Sequence, residues 1–135
     1  DWVYQASKKI LEEGKLIGLI GGEHSSPLGY LKAIGERYTG FGVLQIDAHC
    51  DLRKAYEGFE YSHASIFYNA LKMPEITKLV QVGIRDFCEE ELEVIKQSQG
   101  RIQTFYDHQM KGRIFEGGNF QQICQSIVKN LPEKV

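Results

Sequence analysis

Residues 47–51, Asp-Ala-His-Cys-Asp, put two carboxylates and an imidazole at alternate positions directly after an apolar run. On an extended chain alternate side chains share a face, so Asp47, His49 and Asp51 can point into one ion pocket. Two carboxylates with one imidazole suit Mn, Fe or Zn better than Ca, which takes all-oxygen shells, or metals held by thiolates. A second cluster, Gly21-Gly22-Glu23-His24-Ser25, follows a shorter apolar run and brings another imidazole, His24. Its glycines could cradle a phosphate, but neither the dinucleotide fingerprint nor the G-x-x-x-x-G-K-[ST] loop is present. Taken alone, His24 would be read as a loop histidine. Both clusters, however, follow predicted strands, and open α/β sheets bind ligands beyond the carboxyl ends of their strands.

These clusters need elements to hold them. Val3, Ala6, Ile10 and Leu11 share one helical face, which Gly14 ends. Residues 16–20 read as a short buried strand running into Gly21-Gly22. Ser26 or Pro27 opens a second helix, with Leu28, Leu31 and Ile34 inward, until Gly40 and Gly42 break the pattern. Residues 41–46 read as the second strand, 54–62 as a loop and candidate substrate rim, and about 64–72 as a helix. Residues 78–84 are near-continuously apolar and read as a third strand. Glu89, Glu90 and Glu91 open a further helix, where the dipole favours negative charge, and residues 89–93 form its solvated face. Residues 101–106 read as a fourth strand, with His108 in the loop after it. Phe120, Ile123, Cys124, Ile127, Val128 and Leu131 then follow helical spacing up to Pro132.

The alternation predicts an α/β fold, three-layer α-β-α with a mainly parallel sheet. Its last helix should deliver the chain to another parallel strand, yet only Glu133-Lys134-Val135 follow Pro132. The expectation is therefore one partial domain spanning residues 1–135 of a longer protein.

Composition bounds the function. The 135 residues, 42% hydrophobic and 25% charged, suffice for one core. A net charge of −2 with both signs interspersed leaves no basic field for a phosphate backbone, which argues against nucleic acid as a partner. No apolar stretch approaches the roughly 20 residues that span a bilayer, and the first residues lack the pattern of a signal peptide. A cytoplasmic protein without a membrane partner is expected. Cys50, Cys88 and Cys124 are odd in number and form no C-x-x-C pair, so they read as reduced thiols, the last two as packing residues.

The two clusters, continued as Asp-Ala-His-Cys-Asp-Leu-Arg at 47–53 and followed by Tyr-Ser-His-Ala-Ser at 61–65, resemble in order and separation the ureohydrolase family of arginases and agmatinases. The agmatinase branch is the nearer, since residues 58–61 lack the glycine- and asparagine-rich stretch usual in arginases. The resemblance runs over the whole chain as the N-terminal to middle part of such an enzyme and implies an arginase-like fold. It also implies two manganese ions: His24 and Asp51 on one, His49 on the other, and Asp47 shared. The pair would activate the water that attacks a guanidinium carbon, giving urea and an amine. His63 is implied to relay a proton near the leaving amine, a role that suits an imidazole titrating near neutrality.

Agmatine is the implied substrate, with arginine or guanidinobutyrate as alternatives, and the complete protein is implied to be a homo-oligomer, trimer or hexamer. The competing class is a divergent, non-catalytic fragment. Glu23 stands where aspartate is more usual, and Ala64-Ser65 where Gly-Thr is common, so the substrate-binding residues stay unassigned. Arg53 reads as an ion-pair partner or as a residue behind the ligands. The family's later Ser-x-Asp-x-Asp segment, source of two further carboxylate ligands, does not occur in the chain, and Asp86 and Asp107 are isolated. The chain alone is accordingly expected to bind metal weakly, with negligible turnover.

Overall fold

A computed structural model describes residues 2–135, which fall into two compact units. The first unit comprises the described residues up to Thr39 together with Asp51–Glu75. It holds helices α1 (Trp2–Glu12), α2 (Pro27–Arg37) and α3 (Ile66–Ala70), the last preceded by a 3-10 turn, His63–Ser65. Helix α1 buries Ser7 and Leu11 and is stopped at Gly14, whose φ of +73° suits a residue without a Cβ. Pro27 occupies the first turn of α2, where its missing N–H is harmless, and Leu28, Leu31 and Ala33 are buried. Polar contacts link the two helices as well: Tyr4 and Lys8 both donate to the Glu36 carboxylate, and Arg37 donates to the Leu11 carbonyl.

One expected element is absent. Residues 16–20 form no strand, and Leu16 and Ile20 are 100% and 99% exposed. An apolar run favours extended chain, but a strand exists only through a hydrogen-bonded neighbour, and this run pairs with none among the described residues.

The second unit, Gly40–Cys50 with Ile76–Val135, carries strands β1 (Phe41–Ile46), β2 (Ile76–Ile84) and β3 (Ile102–Tyr106). They run parallel in the order β1-β2-β3, so the described sheet has three strands where four were expected. Helices α4 (Glu89–Gln97), α5 (Asp107–Phe115) and α6 (Phe120–Val128) complete the unit. On one sheet face Val80, Val82 and Phe105 pack with Ile123, Ile127, Met110 and Leu131. The opposite face brings Gln45, Gln81 and Thr104 into register across all three strands, every one buried. The expected α/β class with a parallel sheet is what the structure shows.

Three local expectations need correction. His108 lies in helix α5 rather than a loop; that helix fully buries none of its residues, so it has no apolar stripe to announce it. Glu91 is not solvated but buried, its carboxylate accepting the Cys88 N–H at 3.0 Å and closing the start of α4. Helix α6, capped by Asn119 and Gln122, ends at Val128; Ile123 and Ile127 are buried, whereas Phe120 and Val128 are exposed. Beyond it the chain returns to β1, where the Gly42 N–H donates to the Lys134 carbonyl at 2.8 Å. No helix among the described residues is long and apolar enough to cross a membrane.

Candidate metal centre

Residues 47–51 are not a strand continuation. Strand β1 ends at Ile46, the chain bends, and Asp51 takes a φ of +53°, so the alternation expected to aim three ligands at one side does not operate. The end of β2 holds this segment instead. The Asp47 N–H donates to the Val82 carbonyl at 3.0 Å, and the N–H groups of Arg85 and Asp86 converge on the Ala48 carbonyl at 2.8 and 3.1 Å. Between them Gly83 has φ +88°, and a Cβ there would stand 3.1 Å from the Asp47 carbonyl oxygen. Only glycine combines that backbone with so close an approach.

Asp47 is oriented through both carboxylate oxygens: Oδ1 accepts the His49 N–H at 3.0 Å, and Oδ2 accepts from the Gln45 amide at 3.3 Å. The half-exposed His49 ring lies between two acids, Nδ1 3.6 Å from Asp47 Oδ1 and Nε2 3.6 Å from Asp86 Oδ2. The second unit thus brings Asp47 and His49 together.

The first unit brings His24 and Asp51 together. The Asp51 carbonyl accepts the N–H groups of Phe67 and Tyr68 in the first turn of α3, at 3.1 and 3.4 Å, which fixes its backbone in the left-handed region. Its buried carboxylate places Oδ2 2.6 Å from His24 Nδ1, and the His24 ring meets Phe67 edge-on at 5.7 Å between centroids. His63 starts the 3-10 turn, its ring edge-on to Tyr56 at 5.4 Å and its Nδ1 3.7 Å from Glu23 Oε1. Burial pushes the Glu23 carboxyl up, but hydrogen bonds from the Ser25 hydroxyl and N–H, with the charges of His63 and His24, hold it below the ordinary glutamate value.

The loop at 54–62 is shaped by reciprocal backbone bonds between Tyr56 and Phe59 at 3.0 and 2.9 Å, with Glu57 and Gly58 both at positive φ. Arg53 lies with its guanidinium carbon 5.5 Å from the Tyr56 ring centroid. His108, on α5, contacts the Tyr106 ring.

The donor chemistry suits a divalent ion: His24 and Asp51 supply one imidazole and one buried carboxylate within hydrogen-bond distance, and Asp47 and His49 supply the same pair of types. Gln45, Gln81, Gly83 and Asp86 were not singled out as site residues. A signal existed for the glutamines, each of which interrupts an apolar stretch within its strand, where a polar group must find partners. Asp86 gave no signal, because its approach to His49 depends on strand pairing.

The model of the arginase family matches residues 1–130. The chain is 35% identical over 102 residues to an N(1)-aminopropylagmatine ureohydrolase of Synechocystis, covering 74% of this chain and 32% of that protein. It is 32% identical over 105 residues to an agmatinase of Bacillus subtilis, covering 78% of this chain and 36% of the relative. A solved arginase from Medicago truncatula superposes with a TM-score of 0.74 at 30% identity, covering 82% of this chain and 35% of that one. The chain therefore spans about a third of the length of these relatives.

Proposed function

The chain belongs to the arginase family, and from that premise we propose that it carries the metal-binding portion of a ureohydrolase that cleaves a guanidino compound into urea and an amine. The observation that carries the reading is the contact of His24 Nδ1 with Asp51 Oδ2, two donor types suited to manganese brought together from distant segments. His24 and Asp51 would hold one ion, and Asp47 and His49 would hold a second. When bound, such ions would acidify a water for attack on the guanidinium carbon.

The chain's own residues set the conditions for that chemistry. Burial of the Asp51 carboxylate keeps it from being hydrated, so it is available to a cation. Glu23 beside Nδ1 of His63 leaves Nε2 as the atom that takes up and returns a proton at the leaving amine. The Tyr56 ring holds that imidazole from the side.

Agmatine is the proposed substrate. Two relatives bear names of agmatine-type activities, and residues 58–61 lack the stretch that marks arginases. Arginine is the second reading, favoured by the likeness to the Medicago arginase. We place the whole protein in the cytoplasm as a trimer or hexamer, with the chain alone binding metal weakly and turning over negligibly. Mn2+ titration tests the reading, followed by urea release from agmatine, N(1)-aminopropylagmatine and arginine, on the chain alone and in the longest reading frame containing it. Mn2+-dependent urea release from the longer protein, fastest with agmatine, is expected. Failure to release urea from any guanidino compound overturns the reading.

A further inference from the structure

We propose that Gln45, Gln81 and Thr104 are positioning residues, a buried hydrogen-bonded line across the sheet that sets the geometry of Asp47 and of the peptides around His49. The inference rests on the reading of Asp47 and His49 as metal ligands.

The three side chains lie side by side in the register of β1, β2 and β3. The Thr104 hydroxyl donates to Gln81 Oε1 at 2.9 Å. Gln81 Nε2 donates both to Gln45 Oε1 and to the Cys50 carbonyl, each at 2.7 Å. Gln45 Nε2 donates to the His49 carbonyl at 3.0 Å and to Asp47 Oδ2 at 3.3 Å. Both N–H groups of each amide are thereby used, and each amide oxygen accepts, so neither amide can be flipped without losing partners. The line has one direction, from Thr104 to Asp47.

A sheet core made only for stability would not be built this way. The central strand of a parallel sheet is ordinarily filled with Val, Ile and Leu. Gln81 is 0% and Gln45 4% exposed, so each amide gave up its water and recovers it only through these bonds. Hydrogen-bonded groups behind metal ligands orient them, and removing such groups typically weakens metal affinity by about 10- to 100-fold. The line ends on a carboxylate oxygen of Asp47 and on the carbonyls of His49 and Cys50, atoms that fix the carboxylate and the backbone from which the His49 side chain leaves.

A positioning role and a purely stabilising role differ in the Mn2+ affinity they predict for a folded variant of the 135-residue chain. Gln45→Leu, Gln81→Leu and Thr104→Val combined remove the three polar side chains together, so that only the His49 and Cys50 carbonyls and Asp47 Oδ2 lose a donor, at a modest cost in stability. A folded variant with a somewhat lowered unfolding temperature is expected, together with Mn2+ affinity weakened roughly tenfold or more by Mn2+ EPR titration. Mn2+ affinity within twofold of the unaltered chain overturns the inference. Should the triple variant not fold, Thr104→Val decides, because it breaks the line at its far end. Weakened Mn2+ affinity restored in Thr104→Ser supports positioning, and equal affinity in all three proteins refutes it. Asp47→Ala is the control for the premise. If it or the unaltered chain shows no site to lose, the ligand reading fails and this inference with it; if Asp47→Ala loses Mn2+ while the triple variant keeps it, only the positioning role fails.

Discussion

Nδ1 of His24 lies 2.6 Å from Oδ2 of Asp51, across 27 positions of sequence. Two ligands at right angles on one ion, with bonds of about 2.1 Å, sit about 3 Å apart, so this pair needs only a small adjustment to share a cation. Asp51 also adopts a left-handed backbone at φ +53°, which Asn tolerates and most residues do not. Asp51→Asn should therefore keep the fold, with an unfolding temperature within a few degrees, while Mn2+ affinity falls by roughly tenfold or more. Circular dichroism melts and Mn2+ titration check this together. Undiminished Mn2+ binding by Asp51→Asn would remove Asp51 from the ligand set.

Within the second unit, Gly83 constrains the backbone at Asp47. At φ +88° an alanine is strained, and its Cβ would press on the Asp47 carbonyl oxygen 3.1 Å away. Gly83→Ala should lower stability by about 1–3 kcal/mol and weaken Mn2+ binding at the same time, because relief requires Asp47 to move. Urea denaturation with and without Mn2+ measures both effects. A stable variant with normal Mn2+ affinity would show that the close approach carries no constraint.

For His63 the expected signature is a split between binding and turnover. Its Nδ1 faces Glu23 and its ring meets Tyr56 edge-on, the contacts on which the proposed proton-relay role rests. His63→Gln should leave Mn2+ affinity within about twofold and, in the longer protein, reduce urea release by about 10²- to 10⁴-fold. A large fall in Mn2+ affinity would assign His63 to the metal instead.

The contact of α1 with α2 should make stability depend on pH at both extremes. The Tyr4 hydrogen bond, then that of Lys8, holds Glu36 below its ordinary value of 4.5. A carboxyl lowered in the folded state stabilises above its unfolded value, and the contribution disappears as pH falls through the lowered one. Hydrogen bonding to Glu36 raises Tyr4 above 10.0 and Lys8 above 10.5. Groups raised in the folded state stabilise fully below their unfolded values and cease to do so as pH rises through the raised ones. Melting temperature should thus fall on both sides of a neutral plateau, and Glu36→Gln should flatten both limbs slightly, since these groups are solvent-exposed and screened. Unchanged limbs in Glu36→Gln would place the pH dependence elsewhere.

Much of the second unit was legible because its signals are local. Residues 41–46 form an apolar run preceded by Gly40, and the structure has a strand over the same residues. Ile123 and Ile127 keep helical spacing and are buried as that spacing implies. The misreadings arose where local pattern and partner disagree. Leu16 to Ile20 is as apolar as a strand but has no strand beside it among the described residues, while α5 has a partner sheet but no apolar stripe. Glu91 looked solvated beside Glu89 and Glu90, and only the capping of the helix start turned it inward to the Cys88 N–H.

By itself the sequence determined which groups are available as metal donors, His24, Asp47, His49 and Asp51, and which imidazole is available for proton transfer, His63, since residue type and spacing are properties of the chain alone. Tertiary structure alone decided which carboxylate meets which imidazole, that Asp51 is reached through a left-handed turn rather than a strand, and that Gln45 and Gln81, 36 positions apart, share a hydrogen bond behind Asp47. The reason is physical. A hydrogen bond forms at about 3 Å through space, and only the pairing of strands and the seating of a helix turn on a carbonyl bring such distant residues to that distance.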